Sequence, residues 1–218
     1  MLNELNVIGK TEPLSAPMNM AVDEALLDLA TAPTLRVYGW RAPSLSFGYF
    51  GRYSDVAAQA ESREIVRRWT GGGIVLHGED LTYSLVLPRA HTAHAQSSRA
   101  IYSGVHAAIQ RALAAVAPVS LADQNAPKIS DACFANPVVA DVLLDGRKIA
   151  GAAQRRTRAG LLHQGSIQYD QLPADFADAF ASALCDRFQH LEVPSDVLAR
   201  AERLASEKYA TGAWLHRR

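Results

Sequence analysis

The chain has 218 residues, of which 49% are apolar, and its 22 basic side chains balance its 22 acidic ones. These numbers predict a single globular domain over residues 1–218 and exclude a disordered chain. A net charge of zero argues against a nucleic-acid partner held by bulk charge, and no apolar run is long enough to cross a membrane. The absence of a signal-peptide pattern predicts a cytoplasmic protein, and the absence of CxxC and HExxH motifs predicts no metal site.

Apolar spacing and turn residues predict strands and helices interspersed along the chain. In chain order, the sequence predicts a helix over 18–30, strands at 35–39 and 45–48, a helix over 54–62, about three strands within 64–88, a helix over 99–117, strands at 138–144, 147–153 and 160–169, and helices over 174–188 and 196–209. The first helix is expected to turn Asp23, Glu24 and Asp28 largely away from its apolar face, and Ser54 is suited to cap the second.

One turn and one loop organise the second half of the chain. Asp145-Gly146 is its strongest hairpin signal, so the strands on either side are expected to pair antiparallel. Residues 121–137 show no sustained period and contain two prolines, which predicts a long functional loop, and Gly165 is expected to interrupt its strand. Because hairpin signals outnumber strand–helix–strand units, we predict an α+β fold with helices packed against a mixed, largely antiparallel sheet.

The stretch 64–88 carries the first candidate site. Consecutive glycines cost backbone entropy on folding and are expected where another group must approach the backbone closely. Two arginines beside the glycines indicate that the approaching group is anionic. The alternative is a tight turn between antiparallel strands with two surface arginines. The candidate substrate-binding residues here are Arg67, Arg68, Thr70, Gly71, Gly72 and Gly73.

Cys133 and Lys148 form the second candidate site. Cys133 lies in the long loop, where a thiol is more exposed than in a core, and a nearby cation such as Lys148 would activate it. Lys148 lies between small and apolar residues, where burial favours the neutral amine and lets it serve as a base. The alternatives are an inert buried thiol and a solvated lysine at a strand end, and Lys128 is a weaker partner for the cysteine.

Five further side chains are less specific signals. His77 and His163 lie beside glycines in strand-like segments, where both a core role and proton transfer remain open. Asp80 is suited to hydrogen-bond the glycine loop. His94 lies in a polar loop and is expected at the surface, whereas Cys185 lies in an apolar helix period and is expected in the core.

Several segments together resemble a known family. RRWTGGGIVLHGEDLTYSLVLP and GRKIAGAAQRR, the latter followed by LLHQGSI, resemble the two signatures of the lipoate/octanoate attachment family. NMAVDEALL and LRVYGWRAPSLSFGYF are similar to its N-terminal pattern. The family comprises lipoate–protein ligases and octanoyltransferases, related in fold to biotin–protein ligases, and the resemblance covers about residues 19–169. It implies that Lys148 contacts the acyl group, and it extends the candidate substrate-binding residues to His77, Ile149, Gly151, His163 and Gly165.

Two chemistries compete within this family. Ligases activate the free acid with ATP and Mg²⁺, whereas octanoyltransferases take octanoate from the thioester of acyl carrier protein and need no cofactor. In one transferase branch the nucleophile is a cysteine in an ACF segment, which this chain has at residues 132–134. The chain lacks the GRND-type tetrapeptide of many ligases and leaves no room for their accessory C-terminal domain. The resemblance thus implies an octanoyltransferase with Cys133 as nucleophile; the alternatives are an ATP-dependent lipoate–protein ligase and a non-catalytic acyl-binding module.

The resemblance also implies partners and a pocket. Octanoyl-acyl carrier protein is the expected donor, and lipoyl domains or a glycine-cleavage carrier protein are the expected acceptors, with neither nucleic acid nor membrane involved. Leu76, Ile149 and Leu162 are expected to line a tunnel for the eight-carbon chain. Arg67 and Arg68 are expected to hold the glycine loop or to contact the acidic carrier.

Two details of the predicted site remain open. Backbone amides at residues 71–73 or 148–149 are candidates for the contacts that stabilise an oxyanion. His163 precedes Gln164, whereas the transferase branch more often has the glutamine first. The resemblance therefore does not define a role for His163.

Overall fold

The computed structural model describes residues 2–9, 11–127 and 133–217, with eleven strands and five α-helices among them. The strands are β1 (Leu5–Ile8), β2 (Thr34–Tyr38), β3 (Ser44–Phe47), β4 (Glu64–Arg67), β5 (Ile74–His77), β6 (Leu81–Pro88), β7 (Ser120–Leu121), β8 (Val142–Leu144), β9 (Arg147–Arg156), β10 (Gly160–Ile167) and β11 (Phe188–His190). The α-helices are α1 (Ala16–Leu29), α2 (Ser98–Leu113), α3 (Phe176–Leu184), α4 (Ser195–Leu204) and α5 (Gly212–Leu215). None of the helices in the described part of the chain is long and apolar enough to span a bilayer.

The strands form two sheets. The larger sheet has eight strands in the order β11-β1-β2-β6-β10-β9-β8-β7, and the smaller has the order β4-β3-β5. In the larger sheet β1 runs parallel to both of its neighbours, and all other pairs are antiparallel. In the smaller sheet β3 is parallel to β4 and antiparallel to β5. The predicted α+β fold with a mixed, largely antiparallel sheet is confirmed.

Helices cover both faces of the larger sheet. One core lies against α2 and α3, and a second lies against α1 and α4. Strand β6 contributes alternate residues to the two cores, with Leu85 and Leu87 in the first and Val86 in the second. Burial on both faces explains the continuous apolar run from Leu85 to Leu87. The two polar side chains earlier in the strand, Thr82 and Ser84, donate to buried carboxylates.

The predicted hairpin at Asp145-Gly146 is confirmed. β8 and β9 pair antiparallel on either side of it, and the two turn residues have φ values of 50° and 77°. Two left-handed residues in succession match the twist of the flanking strands, which is why Asp-Gly suits this position.

The predicted helix over 54–62 is wrong. The chain forms two short 3-10 helices instead, Tyr53–Asp55 and Ala57–Gln59. Ser54 Oγ donates to Asp55 Oδ1 and does not cap a helix. Because Val56 is the one buried side chain of this segment, there is no apolar face to stabilise a longer helix.

Helix α1 is correctly placed and Asp28 is exposed as expected, but the other two acidic side chains, Asp23 and Glu24, are buried. Asp23 is fully buried and accepts hydrogen bonds from side chains of β2, β6 and β10: Arg36, Tyr38, Ser84 and Gln164. Glu24 is also buried and accepts from Lys208 and Tyr209. Partners that are distant in sequence neutralise both carboxylates, and helical periodicity carries no information about them.

Strand β10 is not interrupted at Gly165. It pairs continuously with β6 and β9, and Gly165 lies opposite Tyr83. A Cβ at this position would lie 2.3 Å from Tyr83 Cζ. The glycine therefore makes room for a buried aromatic ring, which is a packing role and not a break in the strand.

Candidate active site

A small cavity lies between the two sheets. Its mixture of apolar, aromatic and a few polar side chains is typical of a small-molecule site. The lining comes from both sheets, from α1 and from the 3-10 helix Cys133–Ala135: Met20, Tyr38, Trp40, Ser46, Arg68, Val75, His77, Thr82, Phe134, Lys148, Gly151, Ala152, Ala153, Gln164, Gly165 and Ser166. Lys148, Arg68, His77, Gly151 and Gly165 are thus the sequence-predicted residues that the fold brings to this cavity.

Lys148 forms a buried ion pair. Its Nζ lies 2.8 Å from Asp141 Oδ2, and both side chains are almost fully removed from solvent. Asp141 Oδ1 accepts a hydrogen bond from the Tyr102 hydroxyl at 2.5 Å. Burial alone favours a neutral amine, but a carboxylate in contact with it favours the ammonium. The expected role of Lys148 as a neutral base therefore has less support from this geometry than its role as a fixed cation.

An irregularity in the backbone of β9 sets the direction of the Lys148 side chain. Val142 pairs with Ala150 and Leu143 with Lys148, so β9 has one extra residue, Ile149, at this point. Such a bulge bends a strand and redirects its side chains. Gly151 completes the arrangement, because a Cβ there would lie 2.2 Å from Lys148 Cε and 2.5 Å from its Nζ.

The segment that carries Cys133 packs against β9. Cys133 begins the 3-10 helix Cys133–Ala135, and its side chain lies outside the part that the structure describes. The next side chain, Phe134, lines the cavity, and its ring centre is 5.5 Å from Lys148 Nζ. The short helix that begins at Cys133 therefore contacts the strand that carries Lys148, and its Phe134 ring reaches the lysine. Lys128, the weaker predicted partner, lies outside the described residues.

A hydrogen-bonded chain forms the opposite wall. Asp80 Oδ2 lies 2.8 Å from His77 Nδ1, His77 Nε2 lies 2.6 Å from Ser46 Oγ, and Arg68 donates to that hydroxyl at 2.7 Å. Burial lowers the pKa of His77, so the ring is neutral at pH 7. Since Ser46 accepts from Arg68, its own proton points to Nε2 and the ring hydrogen is on Nδ1. Asp80 binds this histidine and not the glycine loop, contrary to expectation.

The triple glycine contacts other parts of the same chain. Gly72 has φ of 88°, and its carbonyl oxygen lies 2.0 Å from where a Cβ of Gly48 would be. Arg68 donates to the carbonyls of Gly71 and Gly73, which holds the loop. The close approach predicted by these glycines is therefore made by another backbone segment.

Arg67 and Thr70 also act within the fold. Arg67 is fully buried and donates to four carbonyls, those of Tyr49, Gly51, Trp214 and Leu215. Thr70 donates to Gln164, whose amide donates to Asp23. Of the two roles expected for the arginines, Arg68 holds the glycine loop, whereas Arg67 holds carbonyls elsewhere in the fold. Both side chains are buried, which leaves neither at the surface for contact with a carrier.

The residues expected to line the tunnel are not those that line it. Leu76 is 47% exposed, and Ile149 and Leu162 belong to the cores on either face of the larger sheet. Alternation along β5 explains the first case, because Val75 faces the cavity and Leu76 does not. His163 is a fully buried residue of β10 that does not line the cavity. Its Nε2 contacts the Tyr83 hydroxyl, and its Nδ1 contacts the Gln154 side-chain amide.

Four side chains of the site were not predicted as site residues: Asp141, Tyr102, Trp40 and Tyr38. Tyr38 and Trp40 lie in the segment that resembles the family's N-terminal pattern, but that pattern does not indicate their distance to Lys148. Cys185, by contrast, is buried in the core as expected. Within the described residues, no group of three His, Cys, Asp or Glu side chains is placed to hold a metal ion.

Protonation of His106 makes the free energy of unfolding of the protein depend on pH. It is fully buried, its Nδ1 donates to the Ala140 carbonyl at 2.7 Å, and burial lowers its pKa to about 4. The unfolded ring binds a proton below pH of about 6.5, while the folded ring binds one only below about 4. The stability from this group is therefore present above about pH 6.5 and is lost as the pH falls towards 4.

We expect this loss to be roughly 2 kcal/mol between about pH 7 and pH 4.5, measured by urea unfolding. The His106→Asn variant keeps an amide donor near Nδ1 but does not titrate. Its free energy of unfolding should therefore fall less over the same pH interval. An equal fall in both proteins would show that His106 does not cause it.

Comparisons with known proteins agree with this architecture. Residues 15–206 match the model of the lipoyl protein ligase A/B catalytic domain. The chain is 38% identical to octanoyltransferase LipM of Oceanobacillus iheyensis over 71% of its own length, which spans 60% of that relative. It is 30% identical to octanoyltransferase LipM of Brevibacillus brevis over 95% of its own length and 97% of the relative. A T. acidophilum structure with bound lipoic acid superposes over all of both chains with a TM-score of 0.77 at 20% identity, which shows the fold. The chain belongs to the lipoyl protein ligase A/B catalytic domain family.

Proposed function

We propose that the protein is an octanoyltransferase that moves an octanoyl group from the thioester of an acyl carrier protein, through Cys133, to the lysine of a lipoyl domain. One observation carries the proposal: a buried lysine, Lys148, lies at the wall of an apolar cavity beside the short helix that begins at Cys133. The names of the LipM relatives support the same reaction. A glycine-cleavage carrier protein is a further proposed acceptor, and we place the reaction in the cytoplasm.

The proposed reaction has two steps. In the first, the Cys133 thiolate, paired with the Lys148 ammonium, attacks the thioester carbon of the donor. A new carbon–sulfur bond forms, and the pantetheine sulfur leaves with a proton from Lys148. In the second, the acceptor amine attacks the acyl-enzyme and transfers its proton to Lys148, an amide forms, and Cys133 leaves as a thiolate.

The cavity supports the choice of an apolar acyl group. Met20, Trp40 and Val75 contribute apolar surface, and each buried methylene of the acyl chain would gain about 0.8 kcal/mol. Because a thioester is already activated, the proposal requires neither a nucleotide nor a metal ion. A lipoate–protein ligase, by contrast, would require ATP and Mg²⁺ to activate the free acid.

The test compares two donors with the same acceptor. The protein is incubated with a lipoyl domain and either octanoyl-acyl carrier protein without ATP, or free octanoate with ATP and Mg²⁺. We expect the lipoyl domain to gain an octanoyl group from the carrier protein alone. Transfer that occurs only with ATP would establish a ligase, and failure of transfer from both donors would favour an acyl-binding module. Replacing the lipoyl domain by a glycine-cleavage carrier protein tests the second acceptor.

A further inference from the structure

The carboxylate of Asp141 connects the two halves of the site. Its Oδ2 accepts from Lys148 Nζ at 2.8 Å and from the backbone amide of Val138 at 2.7 Å, and its Oδ1 accepts from the Tyr102 hydroxyl at 2.5 Å. Val138 follows the helix Cys133–Ala135 within a few residues. A fully buried carboxylate with three donors is held in one position, and so are the groups that it binds.

The backbone next to Asp141 is strained in a way that serves this arrangement. Ala140 has φ of 71°, a left-handed conformation that is uncommon for residues other than glycine. Three hydrogen bonds impose it: His106 Nδ1 donates to the Ala140 carbonyl, the Ala140 amide donates to Ala122, and the Ala122 amide donates to the Asp141 carbonyl. Such strain persists only where the surroundings enforce it, and it often marks functional sites.

Tyr102 fixes the Oδ1 atom of the Asp141 carboxylate. Burial and the nearby Asp141 raise the pKa of Tyr102 far above its ordinary value, so the hydroxyl keeps its proton and remains a donor. The Ala152 amide donates to the same hydroxyl at 3.3 Å. The ring packs edge-on against His106, which also holds Ala140. The donors around Asp141 therefore form one connected group.

The geometry points to Asp141 as a positioning residue for acyl transfer, which acts through Lys148 and is itself held by Tyr102. This inference rests on the proposed Cys133–Lys148 pair. An ammonium has three donor hydrogens, and Asp141 binds one of them, which fixes the direction of the other two. Without the carboxylate, a buried ammonium is costly and tends to lose its proton. Cys133 would then lose the cation that holds its thiolate.

The test uses three variants and two rates. Asp141→Asn removes the charge at constant shape, Asp141→Glu restores it, and Tyr102→Phe removes a single hydroxyl. The first rate is alkylation of Cys133 by iodoacetamide at neutral pH, followed by peptide mass spectrometry. The second is single-turnover octanoylation by octanoyl-acyl carrier protein over a range of concentrations. Asp178→Asn, which alters a half-buried carboxylate paired with His190 outside the cavity lining, is the matched control.

We expect Asp141→Asn to slow both rates roughly 100-fold and to leave the half-saturating donor concentration nearly unchanged. Tyr102→Phe should slow both about tenfold, since losing a group that orients a site residue typically costs that much. Asp141→Glu should recover most of the loss, and Asp178→Asn should match the parent protein. A purely structural role would lower stability without this selective and rescuable loss of thiol reactivity.

Two results would overturn the inference. One is a folded Asp141→Asn protein, judged by circular dichroism, whose Cys133 is alkylated at the parent rate. The other, which decides the matter if Asp141→Asn does not fold, is a Tyr102→Phe protein with both rates unchanged. A parent protein that is not octanoylated, but whose Cys133 alkylation depends on Asp141, would refute the proposed function and leave the positioning role intact.

Discussion

Replacing Lys148 by methionine is expected to slow octanoyl transfer about 1,000-fold. Methionine is similar in length but has no charge, so Cys133 loses its cation and the departing thiol loses its proton donor. The rate is measured as octanoylation of a lipoyl domain by octanoyl-acyl carrier protein. The variant should also be less stable, because Asp141 is left buried without its cation at a cost of about 3–5 kcal/mol.

A double variant separates the two effects. Lys148→Met combined with Asp141→Asn removes both charges, so most of the lost stability should return while transfer remains about 1,000-fold slow. Transfer by the Lys148→Met protein within tenfold of the parent rate would exclude Lys148 as the cation of the reaction.

Replacing Gly151 by alanine is expected to slow transfer about 100-fold with little change in the free energy of unfolding. The new Cβ would lie 2.2 Å from Lys148 Cε and 2.5 Å from its Nζ, so the end of the lysine must move. That end is the tip of a long side chain, so the fold can accept the methyl group if the tip moves while it stays in contact with Asp141. The ammonium, however, shifts relative to Asp141 and to the helix that begins at Cys133.

Gly9→Ala is the matched control for this variant, because a Cβ at Gly9 meets no atom within 4 Å. It adds the same methyl group outside the cavity and should leave the transfer rate unchanged. If Gly151→Ala transfers octanoate at the parent rate, the position of the ammonium does not limit the reaction.

Local chemistry explains which parts of the fold could be predicted from the sequence. The hairpin at Asp145-Gly146 was predictable because the turn residues themselves determine the backbone conformation. Strand β6 and helix α1 were predictable because their apolar residues recur with a clear pattern. The partners of Asp23 were not, because the residues that bind it lie on three strands that only tertiary packing brings together.

The same contrast between local motifs and tertiary packing explains why the candidate site could be predicted only in part. Cys133 and Lys148 stand in motifs, and the structure places the Cys133 helix beside Lys148. Asp141 lies only seven residues before Lys148, yet the bulge in β9 and the strained Ala140 decide that the two side chains meet. Neither feature has a signature in a single sequence.

For the arginine and glycine segment, residues 64–88, the sequence correctly predicted a close backbone approach and polar partners for the arginines. It did not identify which groups these are. The backbone of the segment does approach another group closely, but that group is Gly48 of the same chain, and it is Gly48 that has no room for a Cβ. Its arginines do bind polar groups, but these are mostly carbonyl oxygens and the Ser46 hydroxyl. The segment therefore builds a wall of the cavity, which it lines with Arg68, Val75, His77 and Thr82.

Intact-protein mass spectrometry tests the central proposal most directly. The protein is mixed with octanoyl-acyl carrier protein in the absence of ATP, and the adduct is mapped by peptide sequencing. The proposed mechanism predicts one octanoyl group, bound as a thioester at Cys133 and absent from the Cys133→Ala protein. An adduct that persists in Cys133→Ala, or one that forms only from free octanoate and ATP, would contradict it.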